Sequence, residues 1–449
     1  MIGLVVNPVA GVGGPAGLAG SDGADVQRLA VSRGARSRVQ ERAALALTVL
    51  AAQHPGLVVA TAVGEMGADA VRAAGLVPCV VYAPRSSRSL SERALGDRDE
   101  TPSAAVDLGG TRFVSPAARS TTEGVDTSRA VAAVAAAGAD LLLVVGGDGT
   151  LRDAAAGLGA AGAAFAIQSE FPVPSGSGRL ETGSGESLLN CEPSDREPDA
   201  RMPAILGIPA GVKMYSPVFA VSPRAAGALA ADWVTRGGLP TDDREVLDID
   251  EAAMRRARVE PTLHAMLRVP YLPGRTQARK AATPASEAAA VTSAARGAVA
   301  RMRPGIRYLL GPGGTTGEVA RQLGVQGSPL GVDVILDGAV VVRGASEQQL
   351  LAEIARGPAQ AVVTVIGGQG FLLGRGNQQL SASVLRALGD DPLLVVAPEQ
   401  KLIDLHGRPL LVDTGDLELD ARLAGHVRIV TGVGASSQYA VTAPELTPV

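Results

Sequence analysis

Apolar residues in this chain fall in short runs closed by glycine, proline or asparagine. Between them lie stretches whose apolar positions recur at helical spacing. The run at 2–6, IGLVV, stops at Asn7-Pro8 and reads as a buried strand followed by a turn. Residues 38–52 set Val39, Ala43, Leu45, Val49 and Leu50 on one stripe, which predicts a helix. Residues 57–62 and 77–82 are strand-like, with a helix-like stretch at 67–74 between them. A capped helix is expected over 121–137 and a buried strand over 140–145. That strand runs into a tight glycine turn at 146–150, and the next helix is expected from Leu151. Strands alternating with helices predict a parallel sheet built of βαβ units.

The rhythm breaks at 86–119, which is polar and irregular, and again at 168–200. The second segment, QSEFPVPSGSGRLETGSGESLLNCEPSDREPDA, is rich in Gly, Ser, Pro and Glu. It reads as a surface insertion or flap, with a domain linker as the alternative. Order resumes with AILGIP at 204–209. Helices are expected over 223–234 and 286–302. A strand at 306–310 runs into GPGGTTG, followed by a helical stretch to Leu323. Residues 332–342 read as strand, turn and strand about Asp337-Gly338. The alternation continues over 346–356, 361–366, 381–388, 393–396 and 427–433, with no repeat of solenoid length. The expected organisation is an N-terminal α/β nucleotide-binding lobe at 1–167, the insertion at 168–200, and a second lobe at 201–449 that contributes to the substrate site.

The chain has 449 residues, 46% hydrophobic and 19% charged, a globular composition. A net charge of −4 gives no broad basic surface, so nucleic acid is not an expected partner. Two cysteines, Cys79 and Cys191, exclude a disulfide scaffold and a zinc ribbon on count. The start, MIGLVV, has no basic segment leading an apolar one, and no apolar run reaches membrane-spanning length. Cytoplasmic placement without membrane association is therefore expected. Lysine supplies only three of 41 basic positions, Lys213, Lys280 and Lys401, in a background biased toward Ala, Arg and Gly. A lysine kept in such a background is a candidate for a specific task.

LLLVVGGDGT at 141–150 is the strongest local signal. A buried strand delivers a glycine turn to the C-terminal edge of a parallel sheet, where ligands bind in such folds. The glycines let a ligand approach main-chain N–H groups, and the following helix N-terminus favours phosphate. Asp148 inside that anion-friendly turn suits a base or metal partner, although a plain helix cap accounts for it too.

GGDGT after an apolar strand resembles the signature shared by NAD kinases, diacylglycerol kinases and sphingosine kinases. NPVAGVGG at 7–14, TTEGVDTSRA at 121–130, LGIPAGVKMYSPVFA at 206–220, GPGGTTGE at 311–318, GVDV at 331–334, GRGNQQLS at 374–381 and VDTGD at 412–416 narrow it. In this order they resemble the ATP-NAD kinase/AcoX family over nearly the whole chain. The resemblance implies an α/β, NAD kinase-like fold of two lobes with a ligand crevice between them. It also implies transfer of phosphate from ATP, or polyphosphate, to the 2′-hydroxyl of NAD, with Mg²⁺ accompanying ATP. On this reading Asp148 deprotonates or orients the hydroxyl, and Gly146, Gly147, Gly149 and Thr150 hold phosphates.

Phosphoryl transfer needs cations nearby. Lys213 is the first candidate, as a catalytic residue, and Arg152 the second. Asn7 ends the first strand and is expected to face the same crevice, with Gly11, Gly13 and Gly14 bordering a phosphate. Gly313, Thr315 and Thr316 form a second strand–glycine–helix element and a second anion-site candidate. Asn377, in the polar cluster at 374–379, is a candidate for bonding base, ribose or phosphate. Asp413 and Asp416 could reach Mg²⁺ through water or a ribose hydroxyl, with turn capping the simpler account. Thr122 and Asp126 are read as caps. The histidines His54, His264, His406 and His426 lack metal spacing, and no protein metal site is assigned.

Two departures from the family pattern stand out. Ala19 precedes Gly20-Ser21-Asp22 where the family often has lysine, and residues 341–346 lack an expected acidic residue. Rival readings are a GGDGT-type kinase for another small hydroxyl metabolite, or a catalytically silent nucleotide-binding regulator. A homo-oligomer is the expected assembly.

Overall fold

A computed structural model of the chain describes residues 1–18, 24–84, 122–170, 202–248, 262–272, 275–276 and 288–446. The irregular segment at 86–119 and most of the 168–200 insertion, together with Lys280 and the Ala19 to Asp22 departure, lie outside these residues.

The first lobe is built on β1 (Ile2–Val6), α1 (Ala24–Ser32), α2 (Val39–Gln53), β2 (Val58–Ala62), α3 (Ala68–Ala73), β3 (Val77–Tyr82), α4 (Gly124–Ala136), β4 (Leu141–Gly146), α5 (Asp148–Glu170) and β5 (Ala204–Pro209). Its five strands are all parallel, in the order β3-β2-β1-β4-β5. Leu141 to Val145 of β4 are fully buried, which is why this run reads as continuously apolar rather than alternating. After β5 come α6 (Pro223–Arg236) and an antiparallel ribbon, β6 (Thr241–Asp248) with β7 (Thr262–Pro270). Helix α6 packs on α2, and β6 and β7 pack on α5 and β5. Val246, Leu267 and Val269 of the ribbon lie in the same core as β1 and β4. Residues 204–248 and 262–270 pack with the first lobe, whose sheet β5 completes.

The second lobe holds α7 (Ala288–Val299), β8 (Arg307–Leu310), α8 (Gly314–Gln322), β9 (Asp333–Leu336), β10 (Ala339–Val342), α9 (Glu347–Ile354), β11 (Ala359–Thr364), β12 (Phe371–Leu373), α10 (Ala382–Ala387), β13 (Leu393–Val396), α11 (Glu399–Ile403), β14 (Leu410–Val412), α12 (Leu417–Leu423), β15 (Gly425–Gly432) and β16 (Ala435–Thr442). Nine strands form one sheet in the order β10-β9-β8-β11-β13-β15-β16-β14-β12. Strands β8, β11, β13 and β15 run parallel at its centre. Alternate residues serve two cores on its two faces. Leu309, Val363 and Val395 belong to one; Leu310, Val362 and Val396 pack with α7 and α8 in the other. Asp337 and Gly338 both take positive φ, 49° and 77°, so β9 and β10 join through the tight turn the sequence indicated.

Candidate active site

In the first sheet the chain leaves β1 toward β2 and leaves β4 toward β5. The ends of β1 and β4 thus flank the switch point, where doubly wound folds bind ligands. Asn7 sits there. Its N–H donates to Val145 O at 3.1 Å, its Nδ2 donates to Thr150 Oγ1 at 3.0 Å, and its Oδ1 accepts from Val9 N–H at 3.2 Å. Asn7 and Thr150, paired from opposite ends of the N-terminal segment, are neighbours.

Helix α5 begins at Asp148, not at Leu151. Asp148 lies inside the first turn and is not its N-cap, and a carboxylate there meets the positive end of the helix dipole. It is 1% exposed. Its carboxylate accepts from Tyr215 N–H at 2.6 Å, Ser216 N–H at 3.0 Å and Ser216 Oγ at 2.6 Å. Its own N–H donates to Lys213 O at 3.1 Å. Burial pushes the Asp148 carboxyl up to about 6; the negative charge of Asp248 adds to this, and the three donors oppose it. Burial beside Asp148 likewise raises the Tyr215 phenol. The Ser216 hydroxyl accepts from Leu247 N–H at 3.0 Å and has Leu247 O within 3.1 Å as a second acceptor.

Close main-chain packing holds this arrangement. A Cβ on Gly211 would lie 2.2 Å from Gly147 Cα, so loop 211–216 docks on the GGDGT turn only without side chains there. Gly11 has φ of +74°, and a Cβ on it would lie 2.3 Å from Ala210 O. Gly146 faces the Thr150 side chain, and Gly149 lies in the first turn of α5. Half-buried Lys213 enters the site through its carbonyl and stands one turn of loop from the Asp148 donors.

Arg152 donates to Asp248 at 2.6 Å and reaches Asp153 at 3.4 Å.

The second lobe closes on loop 211–216 from two sides. Gln378 Nε2 donates to Gly211 O at 3.2 Å, and Gln369 Nε2 donates to Met214 O at 3.0 Å. Gly14 packs against Gln378 Cβ, and Gly13 O accepts from Leu18 N–H within the same loop. Gln378 Oε1 is buried without a partner. Asn377, the residue chosen from this cluster, instead holds its own turn: Oδ1 accepts from Gly374 N–H and Nδ2 donates to Leu372 O.

Asp413 is engaged by two arginines. Its two oxygens accept from Arg42 of α2, at 2.8 Å each, and from Arg375 at 2.8 Å. Burial opposes its ionisation, but the two guanidiniums win and hold it well below the usual carboxylate range. Arg42 also donates to Pro209 O and Arg375 to Val221 O, so this buried triad ties the lobes together. Asp416 caps α12 at Leu419 N–H and pairs with Arg386, which accounts for it without a ligand. Asp126 closes a capping box with Glu123 at the start of α4. Thr122 precedes that box.

Gly313 precedes α8 at the edge of the second sheet, with Thr315 and Thr316 buried in its first turn. Among the described residues no hydrogen bond links this group to the Asp148 turn. Sequence reasoning did not single out Ser216, Asp248 or Gln369, and it named Gln378 only as one of the polar cluster at 374–379. Ser216 lies within a quoted motif, but nothing in its spacing marks it as the partner of a residue at 148. Among the described residues no three His, Cys, Asp or Glu side chains gather as a metal-binding group. No helix among them is long and apolar enough to cross a membrane.

A parallel-sheet lobe with a buried aspartate in a glycine turn at its switch point, closed by a second sheet-rich lobe, defines a two-lobed kinase of the GGDGT type. The chain belongs to the ATP-NAD kinase family. Residues 2–163 match the model for the ATP-NAD kinase N-terminal domain and residues 303–441 that for the C-terminal domain, together about two thirds of the chain. No curated protein and no solved structure gives a significant match.

Proposed function

We propose that the protein transfers a phosphoryl group from ATP, or polyphosphate, to the 2′-hydroxyl of NAD, in the crevice where the GGDGT turn, loop 211–216 and loop 374–379 meet. The observation that carries this reading is Asp148, buried at the switch point with its carboxyl pushed up to about 6. A base is most effective when it titrates near the working pH, because it is then both ionised and basic. The ordered motifs are those of the ATP-NAD kinase/AcoX family, and the cytoplasm is the proposed place of reaction.

Asp148 accepts the proton of the attacking hydroxyl. The Ser216 hydroxyl now on Asp148 has an alternative acceptor in Leu247 O, so rotating it frees one lone pair of Oδ1, which keeps its bond from Ser216 N–H, for substrate. Asn7 and Thr150 fix the neighbouring strand end, and Gly11, Gly13, Gly14, Gly146, Gly147 and Gly149 leave room for phosphates. Lys213 supplies the cation beside them. With one carboxylate at the turn and no three-residue cluster among the described residues, the chain fits Mg²⁺ carried in on donor phosphates rather than caged by protein. When bound, the ion neutralises charge on those phosphates. Asp148 is the carboxylate able to face it.

A silent nucleotide-binding regulator is the second reading, and one observation favours it: both Asp148 oxygens already accept hydrogen bonds. Turnover separates the two. With γ-labelled ATP, Mg²⁺ and full-length protein, label passes to NAD and not to an NAD analogue lacking the adenosine 2′-hydroxyl. Label on that analogue would place the reaction at another hydroxyl. Label on neither, with NAD still bound, would support the regulator.

A further inference from the structure

The central strands of the second sheet end side by side at a sheet edge that the Asp148 chemistry does not use. Strand β8 leads through 311–313 into α8. Strand β11 ends at Thr364, and β13 leads into α11, which carries Lys401. The first turn of α8 has no side-chain cap and no acidic residue, so its N–H groups and positive dipole end are available to an anion. Thr364 shares the sheet face of Val362, the face that α8 covers. A Cβ on Gly313 would lie 3.0 Å from Thr364 Cγ2, which places this side chain against the start of α8. Thr364 is 8% exposed, and its Oγ1 is buried with no hydrogen-bond partner. A buried orphan hydroxyl is unfavourable unless something else occupies its polar neighbourhood.

Lys401 reaches the same place from the third strand. It is 9% exposed, and its Nζ lies 3.2 Å from Thr315 Oγ1 and 3.3 Å from Val365 O. Lysine is almost never buried this deeply unless it is paired, and this chain keeps only three of them. Thr315 accepts from Lys401, which leaves its own hydroxyl proton free to donate. The loop after Thr364 also carries Gln369, which bonds Met214 beside the Asp148 donors. This sheet edge is thus linked to the crevice through one loop.

We propose that the first turn of α8, Thr315, Thr364 and Lys401 form a second anion site that takes a phosphate group. This site stands on its own observations and does not depend on Asp148 being a base. Free phosphate and the diphosphate of a nucleotide offer the same chemistry, so both serve as probes.

Full-length protein is titrated calorimetrically with inorganic phosphate and, separately, with ADP. Wild type is expected to take up phosphate, and Lys401→Met to lose it. Thr364→Val is nearly isosteric and deletes only the orphan hydroxyl. It is expected to melt no lower than wild type without phosphate, yet bind phosphate about tenfold more weakly, the loss expected for one hydrogen bond to a charged group. An ADP-binding component that disappears in Thr364→Val identifies a nucleotide as the carrier; loss of phosphate binding alone identifies the free ion. Wild-type affinity in folded Thr364→Val, or no phosphate uptake by wild type, overturns the proposal. Neither readout involves turnover, so its failure is distinct from failure of the kinase reading.

Discussion

At the residue scale, the proposed function concentrates on Asp148 and the hydroxyl of Ser216. Asp148→Asn keeps the shape but removes the base, and is expected to lower kcat by about 10²–10⁴-fold with an unchanged circular-dichroism spectrum. In the wild type, kcat/KM should fall below pH of about 6, tenfold per unit, as Asp148 takes up a proton. The Ser216 hydroxyl favours the ionised carboxylate, so Ser216→Ala should move that acid limb to higher pH while activity at pH 8 persists. An unmoved limb would show that the titrating group is not Asp148. Because the folded value, about 6, lies above the ordinary 3.8, ionising Asp148 works against folding. Its contribution to stability is full below pH 3.8 and is lost as pH rises through 6.

At the element scale, the site depends on a strand–turn–helix unit meeting a loop at main-chain distance. Gly211→Ala would drive a methyl group to within 2.2 Å of Gly147 Cα. This change is expected to push loop 211–216 outward and withdraw the Tyr215 and Ser216 donors. Turnover should fall about a hundredfold, the scale of an ångström misplacement, and a crystal structure of the variant should show the displaced loop. Much of this unit was legible in the chain. IGLVV and LLLVV are buried on both faces and so stand out as apolar runs, and Asp337-Gly338 marks its own turn. The ribbon β6–β7 escaped notice because TDDREVLD is exposed over its first three residues and shows no apolar run. Strands β12 and β14 have three residues each, too few to show any period. The start of α5 was misplaced because GDGT lacks apolar residues, although dipole and turn geometry place it in the helix.

The sequence brought Asn7, Thr150, Asp148 and Lys213 into one site, because each follows a strand at the same sheet edge. It did not yield Ser216 or Gln369, nor the partner of Gln378, because these contacts span more than sixty residues of chain. Asp413 and Asp416 were visible as acidic residues in a turn, but their arginine partners come from distant elements. Only folding reveals that both carboxylates are already committed.

At the scale of the whole molecule, the two lobes are held in register by the buried Arg42–Asp413–Arg375 triad, next to which Arg38 of the first lobe donates to Thr414 O and Gly415 O. Asp413→Ala leaves two guanidiniums buried without their carboxylate. It should cost about 3–5 kcal/mol, read from the urea midpoint, and raise KM as the crevice loosens. A change below about 1 kcal/mol would show that the triad does not hold the lobes. Asp413 titrates in the opposite sense to Asp148. Its folded value is depressed, so its contribution is present above the ordinary carboxylate range and lost only as pH falls below it.

The central claim is that this crevice phosphorylates NAD through Asp148. The most direct measurement incubates purified protein with Mg²⁺, ATP and NAD and follows NADP by mass spectrometry, with Asp148→Asn alongside. The account predicts NADP from the wild type and at least a hundredfold less from the variant. No NADP from a wild type that NAD still stabilises against heat, or equal NADP from both proteins, would contradict it.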